Sequence, residues 1–280
     1  MLPASLTVSI VTYRPDGRLL ERCLVSLAAA IGAGRRENAL RAVTVALIDN
    51  SEDRDVAKRV IELGNACFRA TGLRPSFLYG HANIGYGAAN NLALHGSGSD
   101  YHLVLNPDVD LAEDALVNAI RWLEVHVQIG AVAPAVRKPD GTPEYLCKRY
   151  PAVLDLLLRG FAPRFMHLLF RGRLSRYEMR DRIKPGSDKP VIGIPVLSGA
   201  CMLVRRAAVD ATGGFDPAFF LYFEDYDWSV RLNRIAQTAY LPAMSVVHHG
   251  GGAAHKGLRH IAWFVRSAFR FYGKHGWRWV

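Results

Sequence analysis

The 280-residue sequence lacks several features that would assign it to a specialised class of protein. It has only four cysteines, with no CxxC pair and no metal-ligand spacing, which favours reduced, mostly buried thiols in a cytoplasmic protein. It contains no 18-residue run of apolar side chains, which argues against a membrane-spanning helix. No basic segment precedes the apolar run at the N-terminus, so we predict no signal peptide.

Acidic residues are missing from the C-terminal part of the chain. The formal net charge is +10, and no Asp or Glu follows Asp227, whereas eight Lys and Arg residues do. Such asymmetry favours an anionic partner, namely nucleic acid, a phosphorylated substrate or an acidic membrane face, although a solvated basic face is equally consistent with it. No base-stacking or helix-turn-helix pattern supports nucleic acid, so we expect none.

Strand-like and helix-like segments alternate about four times in the first 125 residues. Residues 6–13 show strand character, and residues 18–31 repeat apolar side chains with a helical period. This alternation predicts an α/β fold with a mostly parallel central sheet flanked by helices. Ligands bind such sheets beyond the carboxyl ends of the strands. The polar features at predicted strand ends are Thr12, Asp49, the turn at 83–87 and Asp108.

The second half of the chain has a different composition. Residues 150–189 are basic and contain short apolar bursts, which indicate helices or a lid that orders on binding. No internal repeat or low-complexity linker separates the halves, so we expect them to share one sheet and face one cleft.

Two aspartates in "LVLNPDVDLAED" are candidate metal ligands. Residues i and i+2 of a strand face the same side, so Asp108 and Asp110 could aim at one cation, and hard oxygen ligands suit Mg²⁺ or Mn²⁺. Alternatively, Asp110 and Asp114 only mark the start of the following helix. His248, in "HHGGG", could complete such a metal shell or could simply be hydrogen-bonded.

The stretch "FEDYDW" places Glu224, Asp225 and Asp227 among aromatic residues. Carboxylates in apolar surroundings have raised pKa values and can accept protons near neutral pH. An acid-rich helix N-terminus explains the same residues, and both interpretations can hold. In "NIGYGAANN", Gly85 and Gly87 open a helix at a turn whose backbone could approach a phosphate or ribose, although a plain loop-to-helix turn explains this stretch equally well.

Together these segments resemble the family 2 glycosyltransferases, in particular the bacterial rhamnosyltransferase-like branch that builds surface polysaccharides. The matching stretches occur in the family's order, from about residue 8 to residue 252. They are "VSIVTYRPDGRLLERCLVSL", "LIDNSED", "NIGYGAANN", "LVLNPDVDL", "LSGACMLVRRAAVDATGGFDPAFFLYFEDYDWSVRL" and "VVHHGGG".

The resemblance implies a GT-A fold and the inverting transfer of a sugar from a nucleotide diphosphate donor, with Mg²⁺ or Mn²⁺ as cofactor. It divides the chain into a nucleotide-sugar-binding half (1–112), an acceptor-binding and catalytic half (113–255) and a C-terminal basic amphipathic helix (256–280). A sugar-nucleotide pyrophosphorylase would show a basic, glycine-rich signature near the N-terminus, which is missing.

The resemblance also assigns roles to single residues. Asp225 matches the catalytic base, and Asp108 and His248 match the metal ligands, with Asp110 as a weaker candidate. The donor-binding positions are Thr12, Tyr13, Asp49, Asn83, Gly85 and Asn106. Those of the acceptor or transition-state region are Ser198, Gly199, Glu224, Asp227 and Trp228.

The sequence departs from the family pattern at two places. Asn106 replaces the first acid of the DxD motif, which makes Asp108 the principal metal ligand and leaves a non-catalytic binding module as an alternative. Ala253 and Ala254 stand where a serine often follows the glycine-rich stretch, which puts a phosphate contact there in doubt.

The resemblance implies a glycan or lipid-linked glycan as acceptor. The expected donor is dTDP-rhamnose, with a UDP-hexose, UDP-galactofuranose or a GDP-sugar as alternatives. Basic residues flank an apolar stripe at 258, 261, 262, 265, 268, 269 and 272, a pattern that suits the anionic inner face of a bacterial plasma membrane. Packing of this helix on the domain, or a homodimer, explains the stripe equally well.

Overall fold

The computed structural model describes residues 2–250 and 257–280, and within them ten strands form one sheet. The strands are β1 (Ala4–Thr12), β2 (Leu40–Asp49), β3 (Ser76–Leu78), β4 (Tyr101–Leu105), β5 (Val109–Leu111), β6 (Ile129–Arg137), β7 (Pro143–Glu144), β8 (Val191–Ile192), β9 (Cys201–Arg205) and β10 (Gln237–His248). The α-helices are α1 (Gly17–Arg36), α2 (Arg54–Phe68), α3 (Tyr86–His95), α4 (Ala115–Val125), α5 (Val153–Phe161), α6 (Arg164–Leu169), α7 (Arg171–Tyr177), α8 (Arg206–Thr212), α9 (Glu224–Leu232) and α10 (Gly257–His275).

The strand order is β3-β2-β1-β4-β9-β6-β10-β5, with β7 on β6 and β8 on β10. Strands β1 to β4 are parallel to their neighbours within that group, whereas β9 runs antiparallel to both β4 and β6. The sheet is therefore parallel in its first part and mixed in its second. Because β5 of the first half pairs with β10 of the second, both halves share one sheet, as predicted.

The predicted single strand over 100–111 is wrong, because the structure divides it into two strands. β4 ends at Leu105 and β5 begins at Val109, and the chain turns between them at 106–108. Pro107 has no N–H to donate to a ladder. Across the turn, the Asn106 amide donates instead to Ala200 O at 2.8 Å, and that of Val109 to Asn106 O at 3.3 Å.

Apolar residues alternate along the strands and so build a core on each face of the sheet. In β4, Leu103 and Leu105 belong to the core formed with α1, α2 and α4, whereas Val104 belongs to the core formed with α8 and α9. All four cysteines are free thiols, as predicted, and three of them are buried. This double-sided packing fixes the sheet edge at which the polar strand ends meet.

Helix α10 packs on the domain with one face and exposes the other. Phe271 and Tyr272 are buried, and Phe264 and Ala268 pack beside them against the segment that precedes α9. Ile261, Val265 and Phe269 of the predicted apolar stripe are exposed instead. Among residues 2–250 and 257–280, no helix combines the length and hydropathy that a membrane crossing requires.

Candidate active site

The ends of β1 and β2 hold a fixed carboxylate beside an exposed aromatic ring. Thr12 and Asp49 are opposite each other in the parallel register. The hydroxyl of Thr12 donates to Asp49 Oδ1 at 2.8 Å, and that of Ser51 donates to the same oxygen at 2.6 Å. Asp49 is buried, whereas the neighbouring Tyr13 is 56% exposed. A carboxylate oriented in this way can accept a hydrogen bond from a heterocyclic base, and the Tyr13 ring can stack on one.

The turn before α3 requires glycine at position 85. Gly85 has φ +88°, and a Cβ there would lie 2.3 Å from Phe220 O. Its amide donates to Asn83 Oδ1 at 3.0 Å, and its carbonyl accepts from Asn50 Nδ2 at 3.2 Å. The side-chain oxygen of Asn83 is therefore used within the turn itself.

Tyr86, which the sequence interpretation missed, connects the two halves of the site. Its hydroxyl lies 2.8 Å from Asn106 Oδ1 and 2.7 Å from Gly199 O. Asn106 is the residue that replaces the first acid of the DxD motif, so its amide has a structural partner here. The amide of Gly199 in turn donates to Asp225 Oδ2 at 3.0 Å.

Asp108 and His248 face each other at the start of β5 and the end of β10. His248 Nε2 lies 3.6 Å from Asp108 Oδ2, and its Nδ1 lies 2.8 Å from Glu144 Oε2 on β7. Burial alone would lower the pKa of His248, but the Glu144 hydrogen bond and the charge of Asp108 outweigh it and raise that pKa. A carboxylate on one ring nitrogen fixes the tautomer and turns the other nitrogen towards a metal position.

Asp108 and His248 fit a divalent cation whose remaining coordination positions are filled by other ligands. Asp108 Oδ1 is buried and has no hydrogen-bond partner within the described residues. A Cβ at Gly250 would fill the space 2.2 Å from Asp108 Oδ2 and 2.9 Å from His248 Nε2. Within residues 2–250 and 257–280, no group of three His, Cys, Asp or Glu residues could hold a metal by itself. Mg²⁺ and Mn²⁺ commonly take their remaining ligands from water and substrate phosphates.

The geometric argument that Asp108 and Asp110 aim at one cation from one strand face is not met, although Asp110 Oδ1, like Asp108 Oδ1, is buried without a hydrogen-bond partner among the described residues. Asp108 lies in the turn rather than on the strand, so the two carboxylates are not on adjacent positions of one strand face. Asp110 Oδ2 instead contacts Arg22 at 2.7 Å and His249 Nε2 at 2.8 Å. These partners engage one oxygen of Asp110 and link α1 to the β5–β10 edge.

Glu224, which is buried, and Asp225, which is half-buried, form an acid pair at the start of α9. Asp225 accepts from the Gly199 amide through Oδ2 and from the Tyr226 amide, 2.9 Å away, through Oδ1. Burial raises the pKa of both acids, and for Glu224 the charge of Asp225 adds to the effect. Glu224 Oε2 is buried without a partner among the described residues. An oriented carboxylate of raised pKa is suited to accept a proton.

Two residues predicted in the acceptor region are structural instead. Trp228 is fully buried, and its Nε1–H donates to Thr212 Oγ1 at 2.8 Å, so its ring cannot reach an acceptor. Asp227 is also fully buried, with its carboxylate between Arg231, Lys274 and His275. The helical period of α9 turns both side chains towards the core while Asp225 faces Gly199.

Ser198, another residue predicted in the acceptor region, lies close to the proposed base. Ser198 is partly exposed, and its hydroxyl accepts from the Ala200 amide at 3.2 Å, beside the Gly199–Asp225 contact. Ala253 and Ala254 lie outside the described residues. Glu144 was also missed, because β7 has only two residues and no sequence pattern marks it.

No family model matches the chain. The sequence is 32% identical, over 96% of its length and 85% of the relative's, to N-acetylglucosaminyl-diphospho-decaprenol L-rhamnosyltransferase of Mycobacterium tuberculosis. It is 26% identical, over 67% of its length and 69% of the relative's, to rhamnosyltransferase WbbL of Escherichia coli K12. The similarity to the mycobacterial protein thus extends over almost the whole chain.

The fold is similar to that of known glycosyltransferases. GalNAc-T7, solved with UDP, GalNAc and Mn²⁺, superposes with a TM-score of 0.66 at 13% identity. The superposition covers 97% of this chain but only 48% of the GalNAc-T7 chain, so this chain spans about half the length of that neighbour. The predicted GT-A fold is confirmed, and the chain belongs to the family 2 glycosyltransferases, in the bacterial rhamnosyltransferase-like branch.

Proposed function

We propose that the protein transfers L-rhamnose from dTDP-rhamnose to a lipid-linked glycan acceptor, with inversion and with Mg²⁺ or Mn²⁺ as cofactor. The observation that carries this proposal is the half-buried Asp225 carboxylate, which the Gly199 and Tyr226 amides orient beside the strand ends. The mycobacterial relative, named for rhamnosyl transfer to a decaprenol-linked acceptor, supports the choice of donor and acceptor.

Each end of the site has a separate role in the proposed reaction. Thr12, Tyr13 and Asp49 hold the nucleoside, and the Gly85 turn supports the sugar diphosphate. Asp108 and His248 would hold the divalent ion, which when bound would neutralise negative charge on the departing diphosphate. Asp225 takes the proton from the acceptor hydroxyl. That oxygen then forms a bond to the anomeric carbon from the face opposite the diphosphate, whose C–O bond breaks, so the configuration inverts.

Two groups of alternatives remain within the same fold. A UDP-hexose, UDP-galactofuranose or a GDP-sugar would use the same strand-end residues with different pocket dimensions. A non-catalytic nucleotide-sugar-binding module is the other alternative, because Asn106 replaces an acid. The contact of Asn106 with Tyr86 argues for a positioning role of this amide in an active enzyme.

We further propose that the protein acts as a peripheral protein at the inner face of the bacterial plasma membrane, where a lipid-linked acceptor lies. The lipid-facing patch that we propose consists of Leu157 on α5 and Phe165, Leu168 and Leu169 on α6. The three α6 side chains are 69%, 74% and 76% exposed. The basic helix α7 follows directly, so apolar and cationic groups lie together as an anionic bilayer surface requires.

The exposed side of α10 is the alternative membrane surface, or the surface of a homodimer. Ile261, Val265 and Phe269 recur every four residues along it. The C-terminal segment passes beside α5, because the Val153 amide donates to Arg278 O at 2.8 Å. Helix α5 therefore contacts the C-terminal segment at Val153 and carries Leu157 of the lipid-facing patch.

The deciding experiment is a transfer assay with dTDP-rhamnose, a UDP-hexose, UDP-galactofuranose and a GDP-sugar, each with Mg²⁺ or Mn²⁺. Polyprenyl-diphosphate-linked N-acetylglucosamine serves as acceptor, mass spectrometry detects the product, and NMR gives its anomeric configuration. We expect transfer from dTDP-rhamnose with inversion. Preferred transfer from another donor would replace the rhamnosyl assignment, and donor binding without any transfer or hydrolysis would favour the binding module.

A further inference from the structure

Helix α10 contacts every residue of the segment 219–223, which leads directly into the acid pair at the start of α9. Three of these contacts involve aromatic rings of the segment: Lys274 Nζ lies 5.9 Å from the centroid of the Phe219 ring, and the ring centroids of Trp263 and Phe220 are 4.9 Å apart, as those of Phe264 and Phe223 are 5.2 Å apart. The other two are hydrogen bonds. Ser267 Oγ donates to Leu221 O at 2.9 Å, and the Tyr222 hydroxyl lies 2.9 Å from His260 Nδ1.

The backbone of this segment needs such support. Tyr222 and Phe223 have φ values of +67° and +64°, in the left-handed region that bulky residues rarely adopt. Two consecutive residues of this kind persist only where their surroundings hold them. Phe223 is buried between Phe264 and Phe271 of α10, so the helix supplies the surface that fixes the turn.

The far end of α10 is attached to α9 itself. His275 Nε2 lies 2.8 Å from Asp227 Oδ1, and both side chains are almost completely buried. Lys274 contacts the same oxygen at 2.7 Å. Asp227 is two residues after Asp225, so this attachment fixes the first turn of the helix that carries the proposed base.

The segment also reaches the donor side of the site. Phe220 O accepts from the Tyr86 amide at 3.0 Å and lies against Gly85. Its inner side therefore seats the turn before α3, while its outer side is held by α10. A shift of the segment would move the proposed base and the Tyr86 hydroxyl together.

We propose that α10 is a positioning element for catalysis, and that Ser267 and His275 are positioning residues that hold Asp225 in its working orientation through segment 219–223. This inference rests on the proposed role of Asp225 as the base. It assigns α10 a task separate from any contact with lipid, because the residues involved lie on its buried face.

The test compares Ser267→Ala and His275→Ala with His275→Gln, which keeps a donor for Asp227, and with Gly273→Ala. Gly273 is on the same helix, and a Cβ there meets nothing within 4 Å. Each variant is assayed well below its melting temperature for kcat, donor Kd and amide hydrogen exchange over residues 219–227. We expect Ser267→Ala and His275→Ala to lose kcat about tenfold or more, because small misplacements of reacting groups are costly.

In these two variants we expect residues 219–227 to exchange faster and kcat to fall by a larger factor than donor Kd rises, since Asp225 lies on α9 directly after the segment, whereas the donor side meets the segment through Phe220 O. His275→Gln and Gly273→Ala should resemble the wild type. Unchanged kcat and exchange in folded Ser267→Ala and His275→Ala would overturn the inference. A wild-type protein without transferase activity would instead refute the proposed function, and the exchange measurement would still test whether α10 holds the segment.

Discussion

His248 Nε2 lies 3.6 Å from Asp108 Oδ2, and Glu144 holds the opposite nitrogen of the same ring at 2.8 Å. The three residues come from β10, the turn before β5, and β7, so the mixed part of the sheet assembles them. One carboxylate and one oriented imidazole leave room for ligands from a sugar diphosphate. The site is therefore expected to bind metal and donor together rather than metal alone.

We predict that Asp108→Ala removes the gain in donor affinity that Mn²⁺ provides, because the main carboxylate ligand is lost. Glu144→Gln should weaken this gain by about 10- to 100-fold, as outer partners of metal-bound histidines usually do. Titration calorimetry with and without Mn²⁺ measures both effects. Asp110→Asn is the comparison, since Arg22 and His249 pair with one oxygen of that carboxylate, its Oδ2. Loss of metal-dependent binding in Asp110→Asn alone would reverse the assignment.

Asp225→Asn should abolish sugar transfer while donor binding survives. Asparagine keeps an oxygen for one backbone amide but cannot accept the acceptor's proton, so we expect kcat to fall by about 10²- to 10⁴-fold. Steady-state transfer and donor Kd are measured on the same preparation. Glu224→Gln is the comparison, because it leaves the neighbouring base intact and should retain more activity. Equal loss in both variants would mean that the proton acceptor is not Asp225 alone.

Glu224 makes stability depend on pH in a defined direction. Burial and the charge of Asp225 raise the pKa of Glu224 to about 8, so the folded state binds the proton more tightly than the unfolded state. Stability is then highest below the unfolded pKa, near 4.5, and falls as the pH rises towards 8. Urea unfolding should show Glu224→Gln losing less stability than wild type over pH 5–8, by on the order of 2 kcal/mol. Parallel curves for the two proteins would contradict this.

Gly85→Ala should damage both stability and the donor site. The new Cβ would lie 2.3 Å from Phe220 O, so the turn or segment 219–223 must shift, at a cost of about 2–4 kcal/mol together with the left-handed strain. Gly80→Ala is a matched control, because Gly80 has φ +82° and open space at its Cβ position. It should lose only about 1–2 kcal/mol. Thermal unfolding measures the loss of stability, and donor Kd measures the damage to the donor site. Equal losses of stability in Gly85→Ala and Gly80→Ala would show that the contact with Phe220 O is unimportant.

Binding to anionic vesicles should depend on the lipid-facing patch. Phe165→Ser/Leu168→Ser should reduce sedimentation with vesicles that contain phosphatidylglycerol, because it removes two exposed apolar anchors without opening the core. Ile261→Ser/Phe269→Ser tests the exposed side of α10 in the same way. Deletion of α10 is unsuitable, since Phe271 and Tyr272 are core residues. If only the α10 variant loses binding to vesicles, the exposed side of that helix is the membrane surface. A lower mass of the α10 variant in light scattering would instead indicate that this side forms the homodimer.

The first half of the site could be predicted from the sequence because parallel strands bring their carboxyl ends together. Thr12 and Asp49 are the last residues of two adjacent parallel strands, and the register of those strands makes them neighbours. The local pattern marked Glu224, Asp225 and Asp227 only as a group, and the resemblance to the glycosyltransferase family singled out Asp225. The predictions on the first strands needed only local patterns and the general topology of α/β sheets.

The remaining features depend on contacts that local patterns cannot specify. Asp110 is paired with Arg22 from α1, 88 positions away, so no spacing rule could separate it from Asp108. For Trp228, the apolar pattern of the nine-residue helix α9 is too short to show whether the side chain faces a ligand or the core. The apolar residues of α10 mark both a buried and an exposed side, and only the position of segment 219–223 distinguishes them.

The neighbouring histidines at the end of β10 also act as a check on strand register. His248, the last residue of β10, meets Asp108, while His249, the next residue, meets Asp110. A slip of β10 by one residue against the three-residue β5 would separate both acid–imidazole pairs at once. The correct alignment of a very short strand is thereby favoured by two acid–imidazole contacts. Inserting one residue between Met244 and His248 should consequently produce a misfolded edge rather than a merely displaced ligand.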